Sequence, residues 1–87
     1  MTKFRKKPVV IEAEQYRKGL EDGIEEINQH MTVDGKGIKT PYIQTLEGKM
    51  WINPTDWIIT GVAGERYPCK DSIFKATYEP VEGGQQS

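Results

Sequence analysis

The sequence predicts an α+β fold: a small twisted antiparallel sheet or a partly open barrel, built from an N-terminal strand and two hairpins and covered by one amphipathic helix. Three observations predict it. Apolar and polar residues alternate over 8–16, the apolar period lengthens over 20–31, and each of two pairs of alternating runs flanks a short glycine-containing turn. Alternation is typical of a half-buried strand and a period near 3.6 of a helix.

The N-terminal strand is predicted over PVVIEAEQY, residues 8–16. Val9, Ile11 and Ala13 alternate with Val10 and with two glutamates. Because successive side chains of a strand point to opposite faces, one face of this strand is expected to be the wetter one.

The helix is predicted over residues 20–31. One apolar stripe, at positions i, i+4, i+7 and i+11, is formed by Leu20, Ile24, Ile27 and Met31. Carboxylates early in this segment suit the positive end of a helix dipole. Gly23 weakens the helix by about 1 kcal/mol relative to alanine. Residues 33–41 contain two glycines and predict a loop.

The first hairpin is predicted to turn at Glu47–Gly48. This register places Gln44 opposite Trp51 and Ile43 opposite Ile52. Ile43 and Ile52 then share the core face with Met50 and Thr45. The other face carries Tyr42, Gln44, Leu46, Lys49 and Trp51. Trp51 is therefore predicted to be exposed, the alternative being burial in the core or in a subunit interface.

The second hairpin is predicted to pair Thr60 with Arg66 and Trp57 with Cys69. The inward face is expected to hold Trp57, Ile59, Tyr67 and Cys69, whereas Thr60 and Arg66 face outward. Pro68 has no N–H to donate to a ladder, so its strand is predicted to be an edge strand or to end there.

After the second hairpin, Asp71 is predicted to cap one helical turn over 71–76. Residues 77–81 are a candidate for a last short strand. Residues 1–82 are predicted to form a single domain, and residues 83–87 a disordered C-terminal tail.

Composition excludes several classes of protein. The net charge of −1 argues against salt-driven nucleic-acid binding. There is no apolar run of about 18 residues to span a membrane, and no apolar region follows the basic N-terminus as in a signal peptide. The single cysteine, Cys69, cannot form an internal disulfide, which favours a reducing cytoplasm.

The residue types do not favour catalysis. One histidine, His30, and one cysteine make neither a zinc site nor an evident nucleophile–base pair. The segments GKG and GVAG lack the pattern of a phosphate-binding loop. The sequence therefore predicts a protein that is not an enzyme and uses no metal or cofactor.

A binding surface is better supported. Trp51 and Tyr42 provide aromatic faces, and Gln44 provides an amide on the same side of the first hairpin. Groups that donate hydrogen bonds to an anion are expected from Arg66, Lys70, Thr60 and Arg5. Such a combination of ring and cation suits a nucleotide, whose base stacks and whose phosphates pair with arginine.

Two segments resemble a set of small phage and prophage proteins. KFRKKPVVIEAEQY is similar to their N-terminal RKKPVxIEAxQ pattern, and NPTDWIITGVAGERYPCKDSIFKATYEPV to their PGDWI…GExYPCKxxIFxxTYE pattern. Thr55 stands where these proteins usually carry glycine, which questions a positive-φ turn at this position.

The resemblance implies a viral protein acting in the cytoplasm of a host bacterium. The function predicted from it and from the residues is counter-defence: binding and sequestering a nucleotide immune signal, either a cyclic oligonucleotide or an ADP-ribose-derived messenger. A homo-oligomer is expected, because one small subunit has little room for a deep pocket. The alternatives are a protein–protein inhibitor of a host defence enzyme and, less favoured by the charge, a single-stranded nucleic-acid-binding module.

Overall fold

A computed structural model describes residues 1–5 and 7–81, and its α+β architecture agrees with the sequence. The predicted tail, residues 83–87, lies outside the described residues. The elements in chain order are β1 Glu12–Gln15, β2 Gly23–Ile27, a short 3₁₀ helix Gln29–Met31, β3 Ile38–Thr45, β4 Gly48–Trp51, β5 Trp57–Thr60, β6 Arg66–Cys69 and α1 Asp71–Thr77.

The strands form two antiparallel sheets, where one sheet or a partly open barrel was predicted. Sheet A has the order β1-β5-β6, and sheet B has the order β2-β3-β4. Each of the two predicted hairpins therefore receives a third strand from the N-terminal part of the chain. A two-stranded hairpin alone is marginal in water, and the third strand extends its apolar face.

The prediction of a helix over 20–31 is wrong, because this segment supplies β2. Its strand pairs with β3, with Gly23 opposite Tyr42 and Ile27 opposite Ile38. An isolated helix of about 12 residues is marginal even with good helix formers, and this one contains a glycine and β-branched isoleucines. The strand also requires β3 to begin at Ile38, inside the predicted loop.

The core between the sheets is formed by Ile43, Ile52 and Ile58, which are 0%, 4% and 4% exposed. Tyr16 and Leu20 pack against them. The predicted core face of the first hairpin is thus confirmed for Ile43 and Ile52, although Met50 on the end strand β4 remains 40% exposed.

The first hairpin differs from its predicted register by two residues. Tyr42 lies opposite Trp51, Gln44 opposite Lys49 and Thr45 opposite Gly48. The turn residues are consequently 46 and 47, and Gly48 takes a φ of 116° that suits glycine. Because a shift of two preserves the alternation, every side chain stays on its predicted face.

The second hairpin has its predicted register, with Thr60 opposite Arg66 and Trp57 opposite Cys69. β6, which contains Pro68, is an end strand of sheet A as expected. The face assignment needs correction, because both faces of β5 are covered. Ile58 faces sheet B, and Ile59, only 1% exposed, lies on the opposite face with Trp57.

The helix α1 covers that opposite face of sheet A. The Phe74 ring stacks on Trp57 with centroids 4.2 Å apart and planes 11° from parallel. Asp71 is not the N-cap as predicted: Lys70 holds that position, and the Asp71 carboxylate accepts a 2.8 Å hydrogen bond from Trp57 Nε1. The strand suggested for 77–81 does not form, since α1 ends at Thr77 and residues 78–81 are irregular.

The result is three layers, α1 on sheet A and sheet A on sheet B. No helix among the described residues has the length and apolar character needed to cross a bilayer.

Candidate functional site

The candidate site lies on the face of sheet B that points away from sheet A. Strand alternation places five side chains of this outer face on three neighbouring strands: Glu25, Tyr42, Gln44, Lys49 and Trp51. The sequence predicted that Trp51, Tyr42 and Gln44 share a face, and the structure brings them together.

Trp51 is the accessible ring of this face. It is 41% exposed, which confirms the predicted exposure. Tyr42 lies directly opposite on β3, with ring centroids 5.8 Å apart and planes at 83°. This edge-to-face arrangement is a favoured one for aromatic pairs, and it leaves part of the indole open to solvent.

Tyr42 supports Trp51, and its own ring is in contact with neighbouring residues. Its phenol end lies over Gly23, where an added Cβ would come within 2.6 Å of Cζ of Tyr42. The Lys49 ammonium lies 4.9 Å from the ring centroid, a cation–π contact. The glycine therefore makes room for the ring that orients Trp51. The predicted role of Tyr42 as a second stacking surface is better described as positioning.

Lys49 provides a cation beside the two rings. Its Nζ lies 2.6 Å from an oxygen of Glu25 across the sheet, and this hydrogen bond raises the pKa of Lys49. Both side chains are exposed, so solvent weakens the pair. Gln44 next to Lys49 is exposed, and its side-chain amide donates to the carbonyl of Thr45 over 3.2 Å.

Arg66 and Thr60 lie elsewhere. They share the face of sheet A that carries Ile58 and points toward sheet B, not the outward face that was predicted. Arg66 Nη1 lies 2.8 Å from Asp22 Oδ1, and Nη2 donates to the main-chain carbonyl of Leu20. The guanidinium is thus committed within the fold, and its predicted role as a phosphate ligand lacks geometric support.

The same side of sheet A lines a cleft of about 130 Å³. Its walls include two carboxylate residues of β1, and its lining residues are Glu12, Ala13, Glu14, Leu20, Ile58, Thr60 and Arg66. With Arg66 paired to Asp22, this cleft does not offer an anion a free cationic partner on its wall.

Lys70 and Arg5 are separate from the aromatic pair. Lys70 precedes α1 in the layer on the far side of sheet A, and Arg5 lies in the irregular segment before β1. Both are exposed. The seven predicted site residues therefore lie at four places, of which only the one with Trp51, Tyr42 and Gln44 forms a coherent surface.

Sequence reasoning missed Glu25 and Gly23 as parts of this surface. Both belong to the segment predicted as a helix, where they would have no fixed relation to Trp51. The alternation of apolar residues with glutamates over GIEEI is irregular, and the pairing of the glycine with Tyr42 is known only from the structure, so the sequence contains no clear signal for this strand.

The described structure contains neither an activated cysteine nor a cluster of metal-ligating side chains. Burial raises the pKa of the Cys69 thiol, with a further contribution from Asp56, which disfavours the nucleophilic thiolate. In residues 1–5 and 7–81, no three His, Cys, Asp or Glu side chains cluster so that they could hold a metal ion.

Comparisons with protein-family models, with curated proteins and with solved structures return no match to this chain. The resemblance of its two segments to small phage proteins therefore stays a prediction.

Proposed function

We propose that this protein binds a nucleotide without chemical turnover, using the outer face of sheet B. The observation that carries the proposal is the exposed Trp51 indole, held edge-on by Tyr42 beside the Lys49 ammonium. A base stacked on an aromatic side chain contributes about 1–3 kcal/mol, and it does so with little dependence on base identity.

Lys49 and Gln44 supply the polar part of the proposed site. Lys49 is paired with Glu25, but both side chains are exposed and solvent screening weakens this ion pair. A ligand phosphate can therefore compete with Glu25 for the ammonium once a stacked base holds it beside Lys49. Gln44, the cross-strand neighbour of Lys49, offers an amide that both donates and accepts to a base edge.

The biological role that we propose is sequestration of a nucleotide immune signal in the host bacterium, a cyclic oligonucleotide or an ADP-ribose-derived messenger. The phage-like segments support this context. Sequestration needs binding alone, and an open sheet face such as this one encloses a small ligand only when a second subunit covers it. We therefore include a homo-oligomer in the proposal.

Calorimetric titration with a panel of cyclic dinucleotides, cyclic trinucleotides and ADP-ribose derivatives tests the proposal. Wild-type protein is expected to bind at least one of them, and Trp51→Ala to bind it at least about fivefold more weakly. Ile38→Ala is the matched control, because Ile38 lies on the same face and is 46% exposed against 41% for Trp51. Absence of heat for the entire panel, or an equal loss in both variants, would contradict the proposal.

A second candidate is a contact with a host protein through the same face. The observation that favours it is charge pairing, because the ion pair of Lys49 with Glu25 leaves this face nearly neutral. Protein interfaces are centred on aromatic anchors such as Trp51 and carry few unpaired charges. This candidate would be favoured by a complex with one host protein that is lost in Trp51→Ala, together with no heat in the calorimetric titrations with nucleotides.

A further inference from the structure

The free edge of β1 lies in sheet A and is separate from the outer face of sheet B. β1 is an end strand of sheet A, with β5 on one side. Residues 7–11 continue from β1 beyond Thr60, the last residue of β5, and belong to no strand in the described chain. Their alternating sequence nevertheless predicts a strand that begins at Pro8. An unpaired edge of this kind is a template for another strand.

The hydrogen bonds of β1 show which backbone groups face this edge. The N–H of Tyr16 donates to the carbonyl of Asp56 over 2.7 Å. In an antiparallel ladder the groups alternate in direction, so even-numbered residues face β5 and odd-numbered residues face the free edge. In an extended continuation of β1, the N–H groups of Val9, Ile11 and Ala13 therefore point outward. Pro8, which has no N–H, is even-numbered, so its missing donor is not on the free edge.

The segment before β1 also carries charge and apolar surface. Val9, Val10 and Phe4 are 49%, 71% and 91% exposed. Residues 1–11 contain four cationic and no anionic side chains, a formal +4, so the rest of the chain carries −5. Glu12 and Glu14, directly after this segment, are exposed carboxylates. An antiparallel second copy is complementary to such a strand, because it places positive charge beside negative charge.

We propose that two copies of this chain pair through the β1 edge, with residues 7–13 of each copy forming an antiparallel ladder. In this ladder the odd-numbered residues, whose backbone groups face the free edge, must lie opposite odd-numbered residues of the second copy. The two-fold axis therefore passes through a residue and not between two residues. With the axis at Val10, Val9 lies opposite Ile11 of the second copy. The two sheets A then join into one six-stranded sheet.

The charges favour this pairing. In this register Lys7 of each copy lies opposite Ala13 of the other, between Glu12 and Glu14, within the distance over which charges act at physiological salt, about 8 Å. Glu14 is already paired with Arg17 at 2.9 Å, but both side chains are more than half exposed, so this ion pair is a weak competitor. The pairing leaves the outer face of sheet B accessible and does not depend on its proposed ligand.

Sedimentation equilibrium of the full chain tests the ladder with two prolines. Val9→Pro removes an N–H that faces the partner strand, twice per dimer, and is expected to raise the dimer dissociation constant at least about tenfold. Val10→Pro removes an N–H that faces away and is expected to change it less than about threefold. A wild-type monomer at all concentrations, or equal effects of the two prolines, would overturn the proposal.

A second pair of variants keeps the test independent of proline. Val10→Asp places like charges opposite each other at the axis and is expected to give monomers when no nucleotide is present. Val33→Asp makes the same change at a fully exposed loop residue and is expected to leave the dimer intact. Far-UV circular dichroism checks that all four variants keep the fold. A dimer that survives Val10→Asp would also overturn the proposal.

Discussion

Asp22 joins Arg66 of sheet A to sheet B through a single carboxylate. Arg66 Nη1 lies 2.8 Å from Oδ1, and Oδ2 accepts the main-chain N–H of Gln44 over 2.8 Å. The second guanidinium nitrogen donates to the carbonyl of Leu20. This arrangement links the two sheets, and it assigns Arg66 to the fold rather than to a ligand.

Asp22→Ala is expected to lower the free energy of unfolding by about 1–3 kcal/mol, because a main-chain N–H and a guanidinium lose their acceptor. The share from charge is small, since both side chains of the ion pair are about one-third exposed. Urea denaturation measures the change. Glu47→Ala removes the same charge from the exposed β3–β4 turn and is expected to alter stability by less than about 0.5 kcal/mol. Equal losses in the two variants would contradict this role of Asp22.

Gly23→Ala is expected to displace the Tyr42 ring and to cost about 1–3 kcal/mol, because the new methyl would come within 2.6 Å of Cζ of Tyr42. Trp51, which rests edge-to-face against that ring, should then change its fluorescence. A double-mutant cycle with Tyr42→Ala provides the control. Gly23→Ala should cost clearly less in the Tyr42→Ala background. An equal cost in both backgrounds would show that the glycine is needed for another reason.

Alkaline pH is expected to destabilise the protein through Tyr16. Burial, with a 2.8 Å hydrogen bond to Glu21, raises the pKa of Tyr16 from 10.0 to about 12. The folded protein therefore keeps the neutral phenol where the unfolded chain loses its proton. The stabilisation is complete below pH 10.0 and is lost as the pH rises to about 12. The midpoint temperature of thermal unfolding should fall more steeply across this pH range in the wild type than in Tyr16→Phe. Parallel pH dependences in the two proteins would refute this role of Tyr16.

Phe74→Ala is expected to cost about 2–3 kcal/mol, somewhat below the value for a fully buried phenylalanine, because the ring stacks on Trp57 but is only half-buried. Ile73→Ala, one position earlier on α1 and 53% exposed, should cost less than about 1 kcal/mol. Chemical denaturation compares the two. If they were equally destabilising, α1 would not dock on sheet A through Phe74.

The sequence was sufficient for the parts of the fold that local rules determine. The second hairpin has a glycine-containing turn between two short strands, so the pairing of Thr60 with Arg66 could be predicted. The outer position of Trp51 was also predictable. The two-residue register error at the first turn left its face unchanged, since side chains repeat every second residue.

The segment 20–31 could not be assigned correctly from the sequence, because its isoleucines fit both a helix stripe and a strand. Pairing with β3, a tertiary contact, decides between them. That error hid Glu25 and Asp22, and with them the fact that Lys49 and Arg66 already have partners. Ion pairs between strands that are far apart in the chain cannot be identified from the amino-acid sequence alone.

The most direct test of the proposed function is the fluorescence of Trp51 alone. In Trp57→Phe, Trp51 is the only tryptophan of the chain, and stacking of a base on its indole should quench its emission. The account predicts saturable quenching by at least one nucleotide of the panel, with a midpoint equal to the calorimetric dissociation constant. Emission that stays unchanged while calorimetry records binding would place the ligand away from Trp51 and contradict the account.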